Sequence, residues 1–208
     1  VLIKTYLKRK SLFFFEDLRK LEASMPIAYV LGEIIWADVK WKVDKRALIP
    51  RPETEELLQA MLNEVNPSDR IVDACTGSGC IAIATKLKAP NTQLIAFDIS
   101  TDALDLAKEN AETNNVQIEW HNSNLLGPIP DWVSISKDDI WISNPPYIPV
   151  SEILDKSLGF EPEMALYVPD DNPIVFYQKI IQWSLRGLKK GGFLFLEAHY
   201  YFCSEIKI

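Results

Sequence analysis

The pattern of apolar and polar positions divides the chain into an irregular N-terminal part and a regularly alternating remainder. Residues 7–23 interleave Lys8, Arg9, Lys10, Arg19 and Lys20 with Leu12, Phe13, Phe14, Phe15, Leu18 and Leu21, which predicts a short amphipathic helix with a solvated basic face. Between residues 27 and 43, Tyr29, Val30, Ile34, Ile35, Trp36, Val39, Trp41 and Val43 are β-branched or aromatic, and Ala37-Asp38 separates two runs. That reads as a small β-hairpin. Pro52 then suits a first helical position, with Glu53, Glu55 and Glu56 complementing the positive helix end and Leu57, Leu58, Met61, Leu62 and Val65 forming the apolar stripe. Asn66-Pro67-Ser68-Asp69 ends that helix.

From Arg70 the order becomes strand, Gly-rich turn, helix, strand. Strands are predicted over 71–74, 93–97, 116–120, 139–143 and 192–197, with helices after Gly79, after Ser100 and over 173–188. This alternation implies an α/β fold with a Rossmann-like, mostly parallel sheet. The hairpin and the helix before it read as an N-terminal unit over 1–47, and 48–208 as the α/β domain.

Two features of that domain point to a nucleoside-bearing cofactor. The turn Cys75-Thr76-Gly77-Ser78-Gly79 follows the first strand, where glycines let backbone approach a ligand at the start of a helix. Asp98 ends the second strand, the place from which a carboxylate holds both hydroxyls of a ribose. Gly77-Ser78-Gly79-Cys80-Ile81-Ala82 also fits the permissive dinucleotide pattern, so a nicotinamide or flavin enzyme is an alternative. Asp73-x-Cys75-x-Gly77-x-Gly79 is the better fit, because it resembles the D-x-G-x-G-x-G turn of S-adenosylmethionine-dependent methyltransferases, with Cys75 in place of the first glycine. A Cβ there is expected to crowd the methionine portion or to require negative φ. After the third strand, Asn124 is placed to accept a hydrogen bond from an adenine amino group and Leu125 to offer apolar surface to the ring.

The fourth strand runs into Asn144-Pro145-Pro146-Tyr147. The prolines fix φ and lack N–H donors, and Pro145 forces Asn144 toward an extended conformation. A side-chain amide oxygen and a free backbone carbonyl are thus held near each other, able to accept two hydrogen bonds from one NH₂ group. A proline-rich loop that merely ends a strand is the plain alternative.

Composition narrows the setting. The chain has 208 residues, 48% apolar and 25% charged, an ordinary soluble balance. A net charge of -7 argues against a broad duplex-binding face, which needs Lys and Arg against phosphates. Cys75, Cys80 and Cys203 lack paired-ligand spacing, so neither a disulfide framework nor a metal site is expected. No apolar run approaches a membrane span, and a cytoplasmic monomer is expected.

Taken together, Asp73 to Gly79, Asp98 and Asn144-Pro145-Pro146-Tyr147 resemble the amino-methyltransferases with an NPPY signature. These act on adenine N6, cytosine N4, guanine N2 or glutamine N5. Pro26-Ile27-Ala28-Tyr29, Leu48-Ile49-Pro50-Arg51-Pro52-Glu53-Thr54-Glu55, Phe160-Glu161-Pro162 and Gly191-Gly192-Phe193-Leu194-Phe195-Leu196-Glu197 resemble the bacterial release-factor glutamine N5-methyltransferases in particular. That resemblance implies S-adenosylmethionine as donor and the GGQ-loop glutamine of peptide-chain release factors as acceptor. It implies Asn144, Pro145, Pro146 and Tyr147 as the catalytic tip, with Asn144 also beside the cofactor. Relative to the family pattern, only a remnant of the helical N-terminal domain and none of the C-terminal antiparallel strands are expected. A truncated, catalytically idle binding module and a nucleic-acid amino-methyltransferase are the alternative functions.

Overall fold

The computed structural model describes residues 14–135, 137–153 and 155–206. Helix α1 (Phe14–Glu22) carries a Glu16–Lys20 pair at 2.7 Å one turn apart. The earlier part of the helix expected from residue 7 lies outside the described residues.

The expected hairpin is shorter than its apolar pattern. Residues Ile27–Leu31 form helix α2 instead of its first strand, which corrects the reading of Tyr29 and Val30. Pro26 starts α2, and Gly32 closes it at φ +72° with its N–H donating to the Ala28 carbonyl at 2.8 Å. Burial of Ala28, Val30 and Leu31 overrides the strand propensity of the sequence. The hairpin proper is β1 (Glu33–Trp36) and β2 (Val39–Lys42), joined at Ala37 and Asp38, both with positive φ. Trp36 and Trp41 meet edge to face at 6.0 Å, and Trp41 Nε1 donates to the Trp36 carbonyl at 2.8 Å.

Helix α3 (Pro52–Leu62) follows, with Pro52 in its first turn and Arg51 as an extended N-cap. Then come β3 (Arg70–Ala74), α4 (Cys80–Lys88), β4 (Gln93–Asp98), α5 (Thr101–Thr113) and β5 (Glu119–Asn122). Helix α6 (Asp131–Ile135), β6 (Asp138–Ser143), the short strands β7 (Ile148–Pro149) and β8 (Tyr167–Val168), α7 (Val175–Gly187) and β9 (Leu188–Leu196) complete the order. Ser100 caps α5, its hydroxyl accepting from the Ala103 N–H at 3.1 Å.

The main sheet is parallel, in the order β5-β4-β3-β6-β9. Successive crossovers run one way from β3 and then the other way to β6, so the switch point lies between β3 and β6. Alternate residues of each strand feed opposite faces. Ile71, Ile140 and Ile142 join Trp41, Leu58, Met61 and Ile83 on one side. Val72, Ala74 and Trp141 join Phe97, Ile180 and Trp183 on the other, where Phe97 stacks on Trp183 at 5.4 Å. With both faces covered, the central strands β3, β4 and β6 are largely apolar and buried, whereas the edge strands β5 and β9 carry polar, exposed positions.

Three local differences from the pattern have identifiable causes. Strand β5 sits at 119–122 rather than 116–120, because parallel pairing with 95–98 of β4 selects that register over local propensity. Strand β9 starts directly after α7, with a register shift against β6 that absorbs Lys189 to Gly191. The β7–β8 pair and α6 have no clear period in so few residues. No helix among the described residues is long and apolar enough to cross a membrane.

Gly192 marks the closest approach of β9 to β6. A Cβ there would lie 2.8 Å from the Asp139 carbonyl oxygen and 3.0 Å from Leu188 Cδ2. Gly192→Ala is expected to lower stability by about 1–3 kcal/mol through overpacking; an unchanged urea midpoint would show that this edge of the sheet yields freely.

Candidate active site

The sheet register brings the site together. Ala74 pairs with Phe97 and Ser143, Ser143 with Leu196, and Asp98 with Asn122. Asn122, Asp98, Cys75, Asn144 and Glu197 therefore stand at one level along the carboxyl edge. Cross-strand bonds hold that edge: Ser143 Oγ donates to the Ala74 carbonyl at 2.6 Å, Glu197 N to Ser143 O at 3.0 Å, and Thr76 N to Phe97 O at 3.0 Å. A cavity of about 360 Å³ opens there, between the 46–51 segment and the 162–169 segment.

On one side of it lies the glycine-rich turn. Cys75, Thr76, Gly77, Ser78, Asp98, Asn124 and Leu125 line the cavity, whereas Asp73 and Gly79 stand behind it. Asp73 is fully buried; its Oδ2 accepts from the Thr76 hydroxyl at 2.6 Å and from Ala82 N at 3.2 Å, tying the turn to α4. Gly77, at φ +55°, has open space where a Cβ would stand, so its backbone is free to meet a ligand. Gly79, at φ +79°, leaves no room for a side chain: a Cβ there would lie 3.0 Å from both Ala107 Cβ and Ile83 Cδ1. Asp98 accepts from Gly77 N and Ser100 N, both at 2.9 Å, one bond per oxygen. Each oxygen keeps a lone pair, which fits a carboxylate holding two vicinal hydroxyls. Burial raises the Asp98 pKa, opposed by these backbone donors.

Two expectations for this side change. Cys75 accommodates its Cβ at φ +58°, in the left-handed region a glycine would occupy, rather than at negative φ. That conformation costs about 1–2 kcal/mol for an L-residue and persists because the flanking strands fix its ends. Its thiol pKa is pushed well up, by burial first and then by the Asp98 and Asp73 carboxylates, so the sulfur is a neutral wall and not a nucleophile. Asn124 Oδ1 accepts from Leu126 N at 2.9 Å, so part of its acceptor capacity holds its own loop.

The other side is the Asn-Pro-Pro-Tyr tip. Asn144 and Pro146 line the cavity, and Pro145 lies buried behind them. Asn144 Nδ2 donates to Thr54 Oγ1 at 2.8 Å, Thr54 Oγ1 donates to Glu197 Oε2 at 2.6 Å, and the Tyr147 hydroxyl donates to Glu197 Oε1 at 3.1 Å. Tyr147 is thereby turned to Glu197 and is not a lining residue. Burial raises the Glu197 pKa, with Thr54 and Tyr147 holding it down. Among the described residues no hydrogen bond reaches Asn144 Oδ1 or the Pro145 carbonyl.

Thr54, Glu197, Arg51 and Glu161 have no assigned role in the sequence reading. Glu161 is buried; Oε2 accepts from Ile49 N at 2.9 Å, and Oε1 pairs with Arg51 at 2.5 Å. That pair pins the two segments flanking the cavity to each other. Their signal was their presence in Arg51-Pro52-Glu53-Thr54-Glu55 and Phe160-Glu161-Pro162, but no spacing rule links residues 110 or 143 positions apart. His121 stacks on Trp132 at 4.5 Å, and His199 lies 3.6 Å from Glu152; neither lines the cavity. No group of three or more potential metal-ligating side chains occurs among the described residues.

A parallel sheet with its switch point at β3/β6, a glycine turn and an acid ending β4 defines the Rossmann-like methyltransferase class. Solved structures show the same fold: a ribosomal protein L11 methylase from Lactobacillus delbrueckii subsp. bulgaricus is similar at TM-score 0.52 and 22% identity, covering 76% of this chain and 66% of that one. A family model described as the methyltransferase small domain matches residues 52–156. The release factor glutamine methyltransferase of Lactococcus lactis subsp. lactis is 41% identical over 187 residues, 88% of this chain and 67% of that protein. The enzyme of the same name from Flavobacterium psychrophilum is 37% identical over 197 residues, 90% and 68% of the two chains. The chain belongs to the release factor glutamine methyltransferase family. It spans about two thirds of the length of these curated relatives, 64% in the case of the Bacteroides thetaiotaomicron protein.

Burial raises Asp73 to about 7, against the Thr76 and Ala82 hydrogen bonds. Between the unfolded carboxylate range near pH 4 and about pH 7, the folded protein retains a proton that the unfolded chain releases. Stability from this group therefore falls as pH rises through that window and levels off above it. Asp73→Asn removes the titration, so the urea midpoint of the variant should gain on the wild type as pH rises from about 4 to about 7 and gain no further above that. A difference independent of pH would contradict the raised value.

Proposed function

We propose that this chain transfers a methyl group from S-adenosylmethionine to the side-chain amide nitrogen of a glutamine, in the GGQ loop of peptide-chain release factors. The observation that carries this reading is Asn144, whose amide nitrogen is held by Thr54 while its oxygen is free among the described residues, on the same cavity as Asp98 and the Gly77 turn. The curated relatives named for this activity support the acceptor.

The cofactor, when bound, supplies an electrophilic sulfonium methyl. Asp98 is placed for its ribose hydroxyls, the Gly77 backbone for its polar end, and Leu125 for its base. Asn144 Oδ1 and the Pro145 carbonyl accept the two amide hydrogens of the glutamine, which aims the nitrogen's lone pair at the methyl carbon. The amide nitrogen is a poor nucleophile, so orientation and stabilisation of its developing positive charge are the main contributions available to the protein. As the C–N bond forms, the methyl would leave its sulfur, with a neutral thioether as leaving group; the amide proton then passes to solvent, and no strong general base is needed. Pro145 and Pro146 hold the acceptors still. Tyr147, tied to Glu197, stiffens the tip.

The transferase unit is read as 48–208, with the α1–α2 segment and hairpin over 1–47 as its N-terminal support. The net charge of -7 favours a protein over duplex nucleic acid as acceptor. A monomer acting in the cytoplasm is part of the same reading.

Asn144→Ala should lower kcat by about 2.7–4 kcal/mol of transition-state stabilisation, roughly 100- to 1,000-fold, while the cofactor Kd changes far less. Mass spectrometry of the release factor after incubation with cofactor measures the first, and calorimetry the second. Near-normal turnover by the variant would remove Asn144 from the reaction.

A further inference from the structure

Thr54 sits in the first turn of α3, with 3% of its surface exposed, between the end of β9 and the tip that follows β6. A hydroxyl has one proton to give. Thr54 gives it to Glu197 Oε2 at 2.6 Å, and the Tyr147 hydroxyl donates to Oε1, so both oxygens of this carboxyl act as acceptors. What Thr54 leaves facing Asn144 is therefore a lone pair, 2.8 Å from the amide nitrogen. Only the NH₂ half of the Asn144 amide can meet it. A flipped amide would set its oxygen against the hydroxyl oxygen with no proton between them, and an unsatisfied pair of that kind, half-buried here, is costly. Glu197 is itself fixed from two sides, by its N–H to Ser143 O at 3.0 Å and by the Tyr147 hydroxyl at 3.1 Å.

We propose that Thr54, its proton committed to Glu197, is a positioning residue that holds the Asn144 amide with its oxygen outward, so that the site accepts a substrate NH₂ group and disfavours a carboxylate or carbonyl oxygen in the same place. This rests on the methyl-transfer reading above and deepens it: the residue that touches substrate is Asn144, and the choice of carboxamide over carboxylate is made one bond further back. The Asn144 amide also reaches Glu197, and without the Thr54 hydroxyl that contact alone holds its NH₂ half, so Asn144 presents a donor outward for a larger part of the time. Turnover then falls while the cofactor side, built from the Gly77 turn and Asp98, is untouched.

The test compares Thr54→Val, nearly isosteric but without the hydroxyl, with Thr54→Ser, which keeps it. With release factor and S-adenosylmethionine, Thr54→Val should lose about tenfold or more in kcat, corresponding to one hydrogen bond, with the cofactor KM within about twofold. Thr54→Ser should recover to within about threefold of wild type, a rescue that a loss of packing alone would not show. In an Asn144→Ala background Thr54→Val should cost nothing further, because both changes remove one function. Full activity of Thr54→Val, or the same tenfold loss in both backgrounds, overturns the proposal. A second measurement does not depend on the acceptor: the side-chain NH₂ signals of Asn144, identified by their absence in Asn144→Ala, should show a proton protected from exchange in wild type that exchanges at least about tenfold faster in Thr54→Val. Protection that survives Thr54→Val overturns the proposal. Faster exchange in Thr54→Val, together with a wild-type chain that does not methylate release factor, upholds the orientation and instead removes the assigned acceptor.

Discussion

The structure depends on the parallel register of β3, β4 and β6. That register is what sets Asp98, Cys75 and Asn144 side by side, although they are separated by more than twenty residues in each direction along the chain. A slip of one residue in β6 would carry Ile142 into the level of Ser143 and exchange its two faces, placing the strand's apolar set on the wrong sides of the sheet. The large aromatic groups on one face, Phe97, Trp141 and Trp183, make that slip expensive. The core thus enforces the alignment from which the site is made.

On this rigid edge the chain tolerates several unfavourable features. Cys75 occupies a left-handed conformation without being glycine. Asp73 is buried with one oxygen unpaired, and Glu197 is half-buried among hydroxyl donors. None of these would persist in an exposed loop with freedom to relax, and they cluster within a few residues of the carboxyl edge of the sheet. The hairpin contributes from outside the sheet: Trp36 Nε1 donates to the Arg51 carbonyl at 2.7 Å, which fixes the entry to α3 and so the place of Thr54. A segment that resembles a surface appendage in the sequence therefore bears on the site.

The α/β order from Arg70 onward was legible because strands covered on both faces leave near-continuous apolar runs, and Ser100, Pro52 and the Gly77 turn are local signals with a local mechanism. The Asn144 tip was legible for the same reason: two prolines constrain the backbone whatever surrounds them. The hairpin's first strand was misread because Tyr29 and Val30 have strand propensity, while the Gly32 left-handed cap and burial on the core select a helix. The register of β5 and the early start of β9 follow from pairing partners far along the chain, which no window of residues contains.

The sequence by itself determined the class of fold, the glycine turn with its acid, and a rigid amide-bearing tip, since each is written in contiguous residues whose backbone preferences act locally. Only the tertiary structure decided which way that amide faces. Thr54 and Glu197 lie 90 residues before and 53 residues after Asn144, and their single shared proton has a direction only once α3, β6 and β9 have been brought together. Hydrogen-bond polarity is a property of the assembled network, and composition and spacing hold no record of it.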